Sequence, residues 1–543
     1  MTLVHADRAP IRPGDTCQHC DDLAVEVVDG AKLCAEHGSL TRSACSRCGD
    51  GTPAAQSVEG IMVCDRHAAA ERYATAQVAW QRDNVHMGPD GFRYSDHGNA
   101  ERLAARHGDE IRYVPAWGRW IVFHGGRWHL DHGETFVSAL AAELGRQLLE
   151  HVGDVYHDAD AMKALRRWVV KCESVVGVAA TLRAARSLPG LAIDHELLDG
   201  EGWLLNAANG TIDLRTGELR PHRPSDLLRM RASVPFEAAA TAPAWSAFLA
   251  TILPDDEVRS FVQRLLGVVL LGEHREEVLP ICVGGGANGK STLTRIVSKV
   301  LGDYAEVTTR DLFLALKHDT HPTAKADLFR IRFSHSGELP AGARLDEAQV
   351  KELTGGDRVK ARRMREDFWA FDPTHTFWLH ANHRPLIDGT DDAIWRRVLL
   401  IPFDVQIPPA ERDPELARRI VDTEAPGVLN WMLDGLRAYR ADGLRVPDAV
   451  RAATVAYRQE SDTVAAFLVE AGLVFGPGKA ISTNDLMKAH GEWFAAAGTD
   501  GPEKAHYQRL VAVLKERGVT QGRSKAGRRW VGVDLPAIEG DNV

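Results

Sequence analysis

No apolar run in this chain of 543 residues comes near the ~18 needed to cross a bilayer, and the longest, Phe261 to Leu271, is broken by Gln263, Arg264 and Gly267. The first thirteen residues carry Asp7, Arg8 and Arg12 and lack the apolar core of a secretion signal, so a cytoplasmic protein with no membrane partner is expected. An excess of positive charge is also missing. The formal net charge of −10 excludes a body that is basic all over, yet permits local basic surfaces. Cysteine is scarce beyond the N-terminal region: six of the eight fall within the first 64 residues, leaving only Cys172 and Cys282 elsewhere. With 44% hydrophobic and 26% charged residues the composition is that of a folded globular protein. The length suggests roughly three to four domains.

The clustered cysteines form an internal repeat. Cys17-x-x-Cys20 precedes Cys34-x-x-His37, and Cys45-x-x-Cys48 precedes Cys64-x-x-His67. Two residues between ligands let one tight knuckle aim both side chains at a single ion, and two knuckles complete the tetrahedron of a closed zinc site. Two structural Zn²⁺ ions are therefore expected in residues 1–70, supplying much of the folding energy of units too short for their own core. The competing reading is a disulfide framework; a histidine in the fourth position of each repeat favours zinc. Such ribbons present a surface to nucleic acid or protein, replication proteins among them.

Residues 85–240 read as a mixed α+β domain. Ile111–Val114, Trp120–Phe123 and Arg127–Leu130 form a meander whose tryptophans suit a core, and Leu140–His151 and Ala159–Ser187 have helical patterns. Asp194, Glu196 and Asp199 supply acids, without the paired carboxylates and histidine that a polymerase site would show.

Residues 241–440 carry the chemistry. The apolar strand Val278–Val283 leads into Gly284-Gly285-Gly286-Ala287-Asn288-Gly289-Lys290-Ser291, followed by Thr292 and a helix to about Val300. This is G-x-x-x-x-G-K-[ST] between a strand and a helix, the context in which glycines let backbone N–H groups wrap a phosphate. Lys290 would reach the β- and γ-phosphates of ATP and Ser291 would hold Mg²⁺. A second strand, Leu328–Ser334, leads to Glu338, placed to polarise water or support Mg²⁺, with no second acid beside it. A third, Thr376–Asn382, ends in an amide able to sense the γ-phosphate. Arg396 and Arg397 precede the apolar strand Val398–Phe403, where a guanidinium can serve as a finger on a neighbouring subunit's nucleotide; the alternative is a surface ion pair.

The order and spacing of Asn288-Gly-Lys-Ser-Thr292, Lys351-Glu-Leu-Thr-Gly-Gly-Asp-Arg-Val-Lys-Ala-Arg362, Leu379-His-Ala-Asn-His-Arg-Pro385 and Ile394-Trp-Arg-Arg397 resembles superfamily 3 helicases. More narrowly the chain is similar to the phage and plasmid primase-helicase family, from about Gly91 to Leu535, with Asn209–Gly217 similar to the segment that precedes the motor there. The two zinc-like repeats stand where that family often has a catalytic primase domain. The resemblance implies a P-loop AAA+-type fold with a parallel sheet and flanking helices, and a homo-oligomeric ring of about six subunits. It also implies ATP hydrolysed between neighbours, single-stranded or forked DNA in the channel, and a phage, prophage or plasmid gene expressed in a bacterial host.

Two basic segments stand out. Val350–Glu366 has six cations against three acids, and a hairpin turning at Gly355-Gly356 would set Arg358 and Lys360 near its tip, with Arg362 behind, to grip phosphates. Lys504–Trp530 has eight Lys or Arg against one acid, and its helix, helix, hairpin order within 455–537 resembles a winged helix with Arg523, Lys525, Arg528 and Arg529 around the wing. The competing reading of each is a solvated basic face. The multidomain α/β chain is thus read as an ATP-dependent DNA helicase or translocase. A primase-helicase that also makes primers, and an ATP-switched origin-binding or loader protein, are the alternatives.

Overall fold

The computed structural model describes residues 88, 90–150, 159–315, 323–363, 367–389, 392–497, 503–525 and 527–536, with the backbone of four short strands further N-terminal. It divides into two units, residues 1–120 with 131–193, and residues 121–130 with 194–543.

In the first unit the short strands form two antiparallel pairs, β1 (Glu26–Val28) with β2 (Ala31–Leu33) and β3 (Gln56–Val58) with β4 (Ile61–Val63). Each pair falls between the two knuckles of one cysteine repeat; the eight expected zinc ligands themselves, Cys17, Cys20, Cys34, His37, Cys45, Cys48, Cys64 and His67, lie outside the described residues. Helix α1 (Asp96–His107) starts where Ser95 Oγ accepts from the Gly98 N–H at 3.0 Å. Its buried Arg102 is satisfied by Asp90, Asn99 and the Phe92 and Arg93 carbonyls, so the charge is paired as burial requires. Strand β5 (Ile111–Val114) follows. Helix α2 (Thr135–Glu150) begins earlier than its apolar pattern predicts, because the Asp131 carboxylate accepts from the Phe136 and Val137 N–H groups. The single helix expected over 159–187 is two, α3 (Ala159–Glu173) and α4 (Val175–Ala185). Ser174 causes the break, its hydroxyl capping Gly177 at 3.0 Å.

The second unit takes in most of the hairpin of β6 (Arg119–His124) and β7 (Arg127–Leu130), then a meander of β8 (Leu204–Ala207), β9 (Gly210–Asp213) and β10 (Glu218–Arg220). Helices α5 (Pro243–Ile252) and α6 (Asp256–Val268) precede the central sheet, and the long α11 (Leu416–Asp442) packs on α6. At that crossing a Cβ on Gly267 would meet the Leu436 nitrogen at 2.2 Å, and one on Gly435 the Gln263 carbonyl at 2.0 Å, so both positions demand glycine.

Five parallel strands make the central sheet, in the order β12 (Ala305–Thr308), β13 (Phe333–Leu339), β16 (Thr376–Ala381), β11 (Leu279–Val283) and β17 (Val398–Pro402). The strand expected at 328–334 is displaced. Residues 328–331 turn instead, with Arg330 at φ +64° and the Ile331 N–H donating to the Leu328 carbonyl, and pairing starts at Phe333. Helices α7 (Lys290–Leu301), α8 (Thr323–Ala326), α9 (Glu347–Leu353) and α10 (Asp392–Trp395) connect these strands, and β14 (Val359–Ala361) and β15 (Trp369–Phe371) form a side hairpin. Cys282, Phe333, Trp378 and Ile401 on the sheet bury against Leu293, Ile296 and Val297 of α7 and the faces of α5, α6 and α11.

After α12 (Asp448–Ser461) and α13 (Thr463–Glu470) comes a small module of β18 (Val474–Ser482), α14 (Thr483–Ala496), α15 (Glu503–Glu516), β19 (Thr520–Ser524) and β20 (Gly527–Asp534), its strands in the order β18-β20-β19. Leu486, Leu510, Leu514, Phe467 and Trp530 fill its core. A buried relay lies there too: His490 and His506 share a 2.6 Å hydrogen bond, and His506 reaches the Thr463 hydroxyl at 2.9 Å. Burial lowers both imidazoles, His506 to about 4. Unfolded histidine titrates near 6.5, so the pair stays neutral in the fold and takes up protons on unfolding. Stability of this module is therefore full above about pH 6.5 and falls as the pH drops towards 4. Thermal melts over pH 4–8 should show this, and a melting temperature flat below pH 6 would refute it.

Candidate functional site

In an open parallel sheet the carboxyl ends of the strands share one edge, where ligands bind. Loop 284–289 leaves β11 at that edge and runs into the first turn of α7. It is braced from both sides: the Gly284 N–H donates to the Ala381 carbonyl, and the Ile407 N–H to that of Ala287. Two glycines are forced by space. A Cβ on Gly284 would stand 2.2 Å from the Phe403 carbonyl, and one on Gly289, at φ +83°, would stand 2.5 Å from Ile252. Ala287 holds φ +61°, an uncommon conformation for a residue with a side chain. Asn288 is buried and donates to the Phe403 carbonyl at 3.2 Å, pinning the loop, while Gly285 and Gly286 remain open. The α7 amide groups and the positive end of its dipole face this loop. Ser291 is exposed in that first turn, with Thr292 half-buried beside it.

Lys290 is only 5% exposed. Its ammonium donates to the Gly284 carbonyl and, at 3.2 Å, to Asn382 Oδ1 just past β16, which ties the loop to the neighbouring strand. Burial lowers its pKa below the usual lysine range, with Cys282 and Glu338 acting in the opposite direction.

The position of Glu338 depends on a bulge. Along β13, residues 334, 336 and 338 would share one face, but the register against β16 shifts between His335 and Glu338. The extra residue rotates Glu338 onto the face of His335, where it pairs across the sheet with His380. His380 in turn pairs with Cys282 of β11. Period-two alternation puts His380 on the same face as Asn382. One patch of the sheet edge therefore carries Lys290, Glu338, His380 and Asn382. In the sequence His380 stands out only as part of Leu379–Pro385, and its spacing of two from Asn382 is the signal that marks it.

Arg396 and Arg397 do not join this patch. They precede β17, so they stand at the amino edge of the sheet, opposite loop 284–289 and about 17 Å from it for a five-residue strand. Both touch Glu277, at 3.3 and 2.7 Å, but their surroundings differ. The Arg397 side chain is 9% exposed and also donates to the Ala393 carbonyl, whereas that of Arg396 is 63% exposed. Expected as equals, they separate into one buried brace and one largely exposed cation.

The basic hairpin also differs from expectation. It is formed by β14 and β15, and Gly355-Gly356 precede it rather than turning it. Arg358 is at the base, held by Glu196 at 2.6 Å and near Asp372. Local patterning could not reveal this, because the partner Glu196 is 162 residues away in the chain. Lys360 and Arg362 instead lie 5.0 and 4.6 Å from the ring of Phe368, which is half exposed and was missed by the sequence reading. An exposed aromatic between two cations suits a base stacked above a phosphate backbone. In the C-terminal module Arg523, Lys525, Arg528 and Arg529 are all exposed on the β19–β20 hairpin, and Arg523 directly opposes Arg528. Like charges facing across a ladder cost stability unless an anion offsets them.

Residues 100–254 match the family described as "D5 N terminal like", and residues 282–397 match a family of unknown function, DUF5906. A helicase-named protein of Acanthamoeba polyphaga mimivirus is 29% identical over 323 residues, 55% of this chain and 33% of that protein. One from Invertebrate iridescent virus 3 is 25% identical over 309 residues, 51% and 33% of the two chains. A primase-named protein of African swine fever virus is 22% identical over 327 residues, 55% and 34%. The chain spans about a third of the length of these curated relatives. Among solved structures, the apo C-terminal region of NrS-1 is 12% identical, covering 81% of this chain and all of that one at a TM-score of 0.47. The viral relatives that the chain is similar to are thus named for helicase or primase activity, and the D5 N terminal-like match over residues 100–254 stands beside them.

Proposed function

We propose that the chain is an ATP-dependent DNA helicase or translocase of the superfamily 3 type, working as a homo-oligomeric ring of about six subunits in phage, prophage or plasmid replication. The observation that carries this reading is the convergence of Lys290, Glu338 and Asn382 on one sheet edge beside an anion-ready loop. In it, loop 284–289 and Lys290 hold the ATP phosphates, Ser291 holds Mg²⁺, and Asn382 reads the γ-phosphate. The residues fit the ion: Ser291 is an exposed hydroxyl in the first turn of α7 and Glu338 an exposed carboxylate on the adjacent face. Bound Mg²⁺ would neutralise phosphate charge. Glu338 orients the attacking water, and Arg396, solvent-exposed at the far edge of the sheet, serves the nucleotide of the next subunit in the ring.

DNA is gripped by Lys360, Arg362 and Phe368 and by the wing of a C-terminal winged helix. Lys360→Ala and Arg362→Ala should each weaken single-strand binding at all sequences and flatten the salt dependence of log K by roughly 0.7. Arg358→Ala should do much less, its charge being shared with two acids. Fluorescence anisotropy titrations at several salt concentrations measure this, and a larger loss for Arg358→Ala would remove the hairpin from the interface. The eight Cys and His of the N-terminal repeats bind two structural Zn²⁺ ions, which metal analysis of the purified chain would count.

The deciding experiment is ATP-driven strand displacement on forked DNA of both polarities. Absence of unwinding with intact ATPase would favour a loader switched by ATP. A second reading, primer synthesis, is favoured by the primase-named relative. Incubation with single-stranded template and labelled nucleotides tests it directly.

A further inference from the structure

We propose that His380 is a positioning residue of the hydrolytic centre, its Nε2 holding the attacking water against Glu338 where paired-acid sites use a second carboxylate. This rests on reading loop 284–291 as an ATP site.

Position is the first argument. His380 lies on β16, between the strand that carries Glu338 and the strand that leads into the loop, and pairs in register with Glu338 on one side and Cys282 on the other. Asn382 is one pleat further along the same face, roughly 7 Å away, and contacts Lys290. His380 therefore forms the floor of the patch whose rim is Lys290, Glu338 and Asn382.

Satisfaction is the second. His380 is 5% exposed, and its Nε2 is buried with no hydrogen-bond partner. Buried polar groups in native proteins are almost always partnered, by protein or by ordered water, and an orphan calls for a reason. The groups facing it are His335 from β13, its ring stacked at 6.1 Å, Glu338 from the same strand, Cys282 from β11 and Lys290 from α7. Burial first, with His335 and the Lys290 ammonium acting in the same direction, lowers the imidazole to about 4, so it is neutral at physiological pH. A neutral ring presents one donor and one acceptor nitrogen, enough to fix a water whose other contact is a carboxylate.

Chemistry is the third. Glu338 is flanked on β13 by Gly337 and Leu339, and the strand holds no other acid. The in-register residue of the next strand is His380, a polar group on the same face.

The test uses the full chain with His380→Ala, His380→Gln and the reference variant Lys290→Ala. We expect His380→Ala to lose ATP turnover at least tenfold in kcat with KM for ATP within twofold of wild type, and His380→Gln, whose amide can still hold water, to recover part of the loss. A second readout is independent of turnover: His380→Ala should bind a fluorescent ADP analogue normally yet fail to form the long-lived ADP–fluoroaluminate complex, which requires a placed water. Melting temperatures should match wild type. If Lys290→Ala is inactive while His380→Ala retains wild-type kcat and traps fluoroaluminate, this role is overturned and the ATP site stands. If both histidine variants melt lower and glutamine rescues nothing, the histidine is a packing residue and the proposal is again overturned. An undiminished ATPase in Lys290→Ala overturns the site reading and this inference with it.

Discussion

Replacing Lys290 by alanine is expected to reduce ATP turnover by 100- to 1,000-fold or more while leaving the fold as stable as before. The first half follows from position. The ammonium is the cation between loop 284–289 and Asn382, and removing one preorganised donor from a charge-stabilising site typically costs that much. The second half follows from linkage. Burial lowers the Lys290 pKa, so at neutral pH the folded chain carries a charge that it accommodates less well than water does. That penalty is present below the unfolded lysine value near 10.4 and fades as the pH rises through the folded and then the unfolded pKa. Alanine removes the penalty, so the melting temperature should hold or rise. Steady-state ATPase and a thermal melt on one preparation check both halves. Wild-type turnover would remove the nucleotide site, and a large drop in melting temperature would mean that the lysine is structural.

The two adjacent arginines should give opposite phenotypes. Arg396→Ala is expected to lower turnover by roughly 1,000-fold or more, the scale of a transition-state arginine, with stability unchanged because its side chain is largely in solvent. Arg397→Ala is expected to cost stability instead, about 1–3 kcal/mol. It strips the Ala393 carbonyl of its donor and leaves Glu277 without its 2.7 Å partner. Because both sit at the edge of the sheet opposite the loop, Arg396 would, in the proposed ring, serve a nucleotide held by another subunit and not its own. Mixing Arg396→Ala with Lys290→Ala should therefore restore part of the activity, since some interfaces in a mixed ring combine an intact loop with an intact finger. Equal stability loss in both single variants, or no recovery on mixing, would refute the division of roles.

The turn between β11 and α7 was legible because its cause is local. Glycine spacing, an apolar strand before it and a helical pattern after it lie within some twenty residues, and the structure puts the elements at Leu279–Val283 and Lys290–Leu301. The helix break at Ser174 and the early start at Thr135 were missed although also local, because a side-chain cap can override an apolar period. The side hairpin was misplaced for another reason. Gly355-Gly356 has turn composition, but the turn is decided by which strands pair, and Val359 pairs with Phe371.

By itself, then, the sequence determined the anion-ready loop, the strand that feeds it, the basic character of two surfaces and the doubled cysteine pattern, since each is a matter of residue type at short spacing. Tertiary structure decided the rest. A one-residue bulge turned Glu338 onto the face of Lys290, strand register set His380 opposite it, and depth of burial separated Arg397 from Arg396. The physical reason is common to all three: face, register and burial depend on strands far apart in the chain, and no short window of sequence contains both partners.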